Sequence, residues 1–274
     1  MKKVRLRLLA LAAAMLCTVN VQAASEAVIG TSERAMSPNM TAQSFGARLE
    51  ETALGNYVAD GMRLGCGADI AIECGGHLIK SLPGGTLTEQ DARAVFAQDL
   101  EVAVVELTPG MLFDLLEYAV GELRIDEAEQ LDRNSGSDRF PQISGFSFEF
   151  DVSQLPGRRL RWVKLADGSE LSREDRHVLT AALPMDMLDG TLDFSMLEGL
   201  DFRTAGTQSE LLIRRIREQG QVTIPETGRI TMVGSAEDTL YESLRIGYVL
   251  PYILLLVVLF RLVWRKRRRR PDEA

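Results

Sequence analysis

Residues 246–264 carry one charge, Arg261, and run directly into six consecutive basic residues, Arg265-Lys266-Arg267-Arg268-Arg269-Arg270. As a helix this run would measure roughly 28 Å, close to a hydrocarbon core. A basic cluster stays cytoplasmic, so the chain before it is expected outside. Arg261 can snorkel to the same face. Tyr248, Tyr252 and Trp264 suit the interfaces, and Pro251 falls near the first turns, where a missing N–H matters least. The competing reading, a buried core helix, leaves the basic stop unexplained.

The other end reads as a secretory signal over 1–23. Lys2, Lys3, Arg5 and Arg7 form its basic part, residues 8–17 its apolar part, and Val21-Gln22-Ala23 its cleavage site. A lipid anchor on Cys17 would require a smaller residue than Leu16 before it. The remaining chain divides into a polar leader arm at 24–44, one domain at 45–235, a juxtamembrane linker at 236–245, the span at 246–264 and a basic tail at 265–274.

Charge and cysteine content narrow the function. Residues 24–260 hold 20 basic and 37 acidic side chains. So acidic a domain repels phosphate backbones, which argues against nucleic acid as a partner. Cys66 and Cys74 flank an expected strand that would keep them roughly 17 Å apart. A disulfide needs Cα atoms within about 7 Å. Two free, buried thiols are expected.

Roughly 220 residues suffice for one domain with a full core. Leu49, Leu54, Val58 and Met62 predict a helix over 45–64, capped by Ser44 and ended by Gly65 and Gly67. A strand is expected at 69–73 and a short helix at 91–96, with Thr88 and Asp91 as an acidic capping box. A Val-rich strand follows at 100–107. Thr108 and Pro109 then open a helix over 109–120. Further strands are expected at 141–150, at 160–165 in a hairpin across Asp167-Gly168, at 177–182 and at 228–232. A last helix is predicted over 207–219. The fold class is α/β: a mixed sheet with flanking helices, plus one C-terminal membrane helix.

Several blocks carry a resemblance. Glu51-Thr52-Ala53-Leu54-Gly55-Asn56-Tyr57-Val58-Ala59-Asp60 is similar to E-T-x-L-G-N-L-V-A-D, and Ala68-Asp69-Ile70-Ala71-Ile72-Glu73-Cys74-Gly75-Gly76 to A-D-I-A-x-x-N-G-G. The stretches 107–117, 140–146, and 211–217 with Gly228-Arg229-Ile230 match further blocks in order. Together, over residues 48–233, they resemble the C-terminal, substrate-recognising domain of bacterial 5'-nucleotidases. With the signal, the span and the basic stop, the bacterial resemblance gives the expected location: a single-pass protein of the bacterial inner membrane with its domain in the periplasm.

In that family a separate metallophosphatase domain performs hydrolysis, with two metals held by several His, Asp and Asn ligands. Only about two dozen residues separate the expected cleavage site from Arg48, fewer than a domain needs, and His77 and His177 are the two histidines of the sequence. No catalytic residue, metal site or cofactor is therefore assigned to this chain, although membership would imply a hydrolase of nucleotide catabolism. The resemblance implies substrate contacts instead. Arg48 stands where the family often has a binding arginine. After Gly75 and Gly76 come His77-Leu78-Ile79-Lys80, so Ile79 takes the place of the next arginine and Lys80 offers charge without a planar fork. Ala97-Gln98-Asp99-Leu100 replaces the first stacking aromatic, so Gln98 supplies no ring. Asp186 or Asp189 can stand for the family's acid. Met185 and Met187 can fill an apolar groove left by the lost rings.

For each of these residues a plainer role is available: a solvated charge at Arg48, a tight turn at Gly75-Gly76, a lone loop histidine, solvated loop carboxylates. The expected function is nucleotide binding, or assistance to a separate metallophosphatase chain. The alternative is a degenerate scaffold that binds another envelope protein.

Overall fold

A computed structural model describes residues 27–42, 44–128 and 130–234. The expected signal, linker, span and tail lie outside the described residues. Among the described residues, no helix is long and apolar enough to cross a membrane.

The central sheet has five strands in the order β5-β2-β8-β4-β9: β2 (Ile70–Cys74), β4 (Glu101–Leu107), β5 (Pro141–Ser144), β8 (Leu179–Pro184) and β9 (Phe202–Thr207). β2 and β8 are parallel, and the other pairings are antiparallel. The sheet is mixed, as expected. Side-chain alternation splits each inner strand between two cores. On one face Ile70, Ile72, Val105 and Leu183 pack with α3 (Pro109–Ala119) and with a second sheet, β11-β6-β7. That sheet comprises β6 (Phe146–Asp151), β7 (Leu160–Leu165) and β11 (Ile230–Val233). On the other face Ala71, Val102, Val104 and Ala182 pack with α1 (Ala53–Cys66) and α4 (Gln208–Gln219). A third sheet, β10-β1-β3, closes that side with β1 (Val28–Ser32), β3 (Gly85–Thr88) and β10 (Gln221–Val222).

Capping side chains set the helix starts: the helices expected over 109–120 and 207–219 keep their bounds to within one residue, whereas the one expected at 91–96 runs from Glu89 to Arg93, directly after its cap. Thr88 caps α2 (Glu89–Arg93) with Asp91 as its capping box. Thr108 caps α3 with Pro109 in its first turn. Thr207 and Glu210 form a capping box on α4. Thr207→Ala is expected to cost about 1 kcal/mol. An unchanged melting temperature of this variant by circular dichroism would show that the cap contributes nothing.

Four further expectations need correction. The first long helix starts at Ala53, not residue 45, because Thr52 is the N-cap and accepts from the Gly55 amide. Residues 44–50 are turns drawn together on Glu50, whose carboxylate accepts from Ser44 Oγ and from the Phe45 amide at 2.8 Å. Leu49 therefore falls in the opposite core from Leu54, Val58 and Met62. The expected strand at 141–150 is two strands in two sheets. The chain turns at Gly145 (φ 89°), where a Cβ would lie 2.3 Å from the Asp69 carbonyl oxygen. The expected leader arm contains β1, paired with β3 and β10. Finally, β3, β9 and β10 were not expected at all; they are short or largely exposed, and lack an apolar alternation.

Cys66 and Cys74 are free and buried, as expected. The Phe146, Phe148 and Phe150 stripe is core, with neighbouring rings 5.9–6.3 Å apart.

Candidate ligand site at the ends of the parallel strands

The parallel strands β2 and β8 end at one edge of the sheet, each in a short 3-10 turn: Gly75–His77 after β2 and Met185–Met187 after β8. Ligands of open α/β sheets gather at the carboxyl ends of strands. Most of the sequence-selected residues meet here.

The centre of the edge is a buried polar network. Glu73 shares the alternation of Ala71 and faces α4, fully buried. One oxygen accepts from the Cys74 amide at 2.8 Å and from His77 Nδ1 at 2.6 Å. The other accepts from Gln208 Nε2 at 2.6 Å. His77 Nε2 lies 2.8 Å from Asp186 Oδ2. Burial alone would lower the His77 pKa, but its hydrogen bonds to Asp186 and Glu73 prevail and raise it to about 10. At neutral pH the ring is an imidazolium that donates to both carboxylates. Burial, reinforced by Glu73 and Asp186, pushes the adjacent Cys74 thiol well above its ordinary range.

This arrangement corrects the picture of a lone loop histidine. With both ring nitrogens committed, His77 has no free lone pair with which to take a proton from a substrate. Asp186 is likewise engaged rather than solvated, though its Oδ1 is buried without a partner among the described residues. The network is a grip, and the described residues include no group of three or more His, Cys, Asp or Glu arranged to hold a metal ion.

Around it lies an open rim. Arg48 pairs with Asp138 at 2.8 Å, and both side chains are more than half exposed. The Gly75-Gly76 pair is wedged beneath them: a Cβ on Gly75 would sit 1.8 Å from the Ala47 carbonyl oxygen, and one on Gly76 would sit 2.6 Å from Asp138. The tight turn accounts for both glycines without a ligand. Residues 77–80 run beside 95–97, joined by Ala97 N to His77 O at 2.9 Å and Ile79 N to Val95 O at 2.8 Å. Lys80 and Gln98 are therefore on the same rim, and both are exposed. Ile79, in the place of an arginine, is exposed as well, and with Arg48, Met40, Phe45 and Leu78 it lines a cleft of about 270 Å³. Asp189 stands apart from the cluster, exposed in a turn where it accepts from the Thr191 amide at 2.9 Å. Met187 is packed in the core, whereas Met185 is half-buried.

Sequence reasoning missed Glu73, Asp138 and Gln208. A carboxylate inside the apolar run Ile70-Ala71-Ile72-Glu73-Cys74 was the available signal, because a buried charge needs a partner. His77, four residues on, is that partner.

The long resembling block is structural. Glu51 accepts from the Gly228 and Ile230 amides at 2.7 and 3.0 Å, which positions β11. Asn56 donates to the Glu226 carbonyl at 3.1 Å. Asp60 takes both arms of Arg229 at 2.7 and 2.9 Å. Matching blocks far apart in sequence thus interlock.

Comparison with known proteins agrees with this reading. The family model for "5'-nucleotidase, C-terminal domain" matches residues 28–197. The trifunctional nucleotide phosphoesterase protein YfkN of Bacillus subtilis (strain 168) is 30% identical over 122 residues, which is 43% of this chain and 8% of that protein. Among solved structures, a 5'-nucleotidase precursor from Thermus thermophilus superposes with a TM-score of 0.67 at 21% identity, covering 81% of this chain and 43% of that one. The NAD nucleotidase of Haemophilus influenzae gives 0.61 at 13% identity, covering 76% of this chain and 38% of that one. The structural likenesses carry the fold alone, and the chain spans less than half the length of each of these relatives.

Proposed function

The chain belongs to the 5'-nucleotidase C-terminal domain family, and from that premise we propose that it is a non-catalytic recognition domain of nucleotide catabolism. It acts beside a separate metallophosphatase chain that breaks the bond. After signal removal, residues 246–264 hold it at the outer face of the bacterial inner membrane, with the domain in the periplasm and the basic tail in the cytoplasm.

One observation carries the reading: the exposed Arg48–Asp138 pair stands over the glycine turn at the ends of the parallel strands. A phosphate can displace Asp138 and take the Arg48 guanidinium through two parallel hydrogen bonds. Lys80 and Gln98 share that rim, and Leu78 and Ile79 offer apolar surface in place of a ring clamp. His77 and Asp186 support the rim from below.

The test is thermal unfolding of the full chain in detergent with AMP, adenosine or a UDP-sugar at millimolar concentration. Ligand at ten times its Kd stabilises by about 1.4 kcal/mol, and Arg48→Ala abolishes the effect of AMP. No shift with any of the three would sink nucleotide recognition.

A second reading, a scaffold for another envelope protein, is favoured by the Glu73–His77–Asp186–Gln208 network. It fills the space between the strand ends and α4 that a deep pocket would use. Capture of a specific envelope protein from solubilised membranes, with no nucleotide effect, is its expected signature.

A further inference from the structure

We infer that the turn between β6 and β7, tipped by Leu155 and Arg158, rests on the bilayer surface; this builds on the tethering proposed above. The chain's exit point places the turn there. Val233 pairs with Asp151, and its carbonyl accepts from the Val152 amide at 2.9 Å. Gly234, the last described residue, lies so close that a Cβ on it would be 2.0 Å from Asp151 Oδ1 and 3.1 Å from the Ser153 amide. Between that point and the expected span stand residues 235–245. Even fully extended, they reach at most about 40 Å, less than the path around the domain's surface from one end to the other. A domain of this size is about 40 Å across. The tether is too short to let the domain turn its exit end away from the membrane freely.

That end has the chemistry for a lipid surface. Leu155 is 72% exposed, the most of any large apolar side chain among the described residues. Residues 153–158 are all exposed, and the Arg158 side chain makes no ion pair among the described residues. The tip is also stiff. The buried Arg159 donates to the carbonyls of Gln154 at 3.0 Å, Leu123 at 2.8 Å and Val120. The Arg158 amide closes the turn on the Leu155 carbonyl at 3.0 Å. A rigid turn that presents one apolar and one basic side chain outward fits the boundary between headgroups and acyl chains, where Leu155 inserts and Arg158 meets lipid phosphate.

The experiment uses the full chain in vesicles of phosphatidylethanolamine and phosphatidylglycerol. An environment-sensitive fluorophore is placed at Leu155→Cys or, as a control, at Ala166→Cys. Ala166 lies at the opposite end of the same ribbon, roughly 17 Å along β7. The parent chain, with Cys66 and Cys74 buried, gives the labelling background. The expected result is severalfold stronger quenching by nitroxide-bearing lipid at the Leu155 site than at the Ala166 site. Adding Arg158→Glu is expected to reduce that quenching severalfold. Equal quenching at the two sites overturns the inference while leaving the tether intact, provided the chain stays with the vesicles through an alkaline wash. Release in that wash overturns both.

Discussion

Replacing His77 with alanine is expected to lower the unfolding free energy by about 3–5 kcal/mol, because the imidazolium is the counter-charge of two buried carboxylates. Removing it leaves Glu73, fully buried, with only the Cys74 and Gln208 amide donors, and leaves the carboxylate of Asp186, nearly buried, without a hydrogen-bond partner among the described residues. A cavity alone would cost less, so a double variant separates the terms. In His77→Ala with Asp186→Asn one buried charge is gone, and part of the loss is recovered. The pH profile gives an independent check. The folded pKa of His77 is raised from 6.5 to about 10. Its stabilisation is therefore full below pH 6.5 and is lost as pH rises through about 10. Over that window wild-type stability falls relative to His77→Ala by up to about 5 kcal/mol. Parallel profiles of the two proteins, followed by urea unfolding of the full chain in detergent, would show that the ring is not charged in the folded state.

The second large effect is expected at Gln142. This side chain is fully buried in β5 and uses every hydrogen-bonding site it has. Its Oε1 accepts from the Thr52 amide at 2.9 Å and from Thr52 Oγ1 at 3.1 Å. Its Nε2 donates to the carbonyls of Ala47 at 3.0 Å and Glu50 at 2.8 Å. Gly55 makes room for it, since a Cβ there would lie 1.9 Å from Oε1. Gln142→Met keeps the bulk and loses all four bonds, and a cost of about 2–4 kcal/mol follows from the unpaired backbone groups. The 44–52 turns carry Arg48, so the same variant should also release that segment. Faster amide exchange at Ala47 to Thr52 than in α3 is the matching signature. Loss of stability without that local change would place the damage elsewhere.

Together these two residues explain how the rim is built. Gln142 holds the Arg48 turn from the sheet side. His77 binds the ends of β2 and β8 to α4 through Glu73 and Gln208. The rim residues Arg48, Lys80 and Gln98 then project from a stiff base, as the proposed recognition role requires.

Much of the fold was legible because its signals are local. Thr88, Thr108 and Thr207 mark helix starts through hydrogen bonds within three residues, and Gly67 ends α1 in a left-handed conformation. Buried strands such as β4 read as apolar runs. Elements at the edges read poorly: β1, β3 and β9 expose much of their length, so pairing partners rather than apolar pattern define them. Thr52 is hidden as a cap because Leu49 continues the helical spacing by accident.

At the site, the chain alone set which chemistry is on hand: an exposed-type arginine, a glycine pair, one nearby histidine, scattered acids and no aromatic clamp. Those are residue identities, and they survive any folding. Only the tertiary structure decided which of them meet. Glu73, Asp186 and Gln208 reach His77 from β2, the turn after β8 and the start of α4, up to 131 residues away in sequence. No spacing rule spans such distances. A buried charge finds its partner through sheet register and helix packing, and those are properties of the whole core.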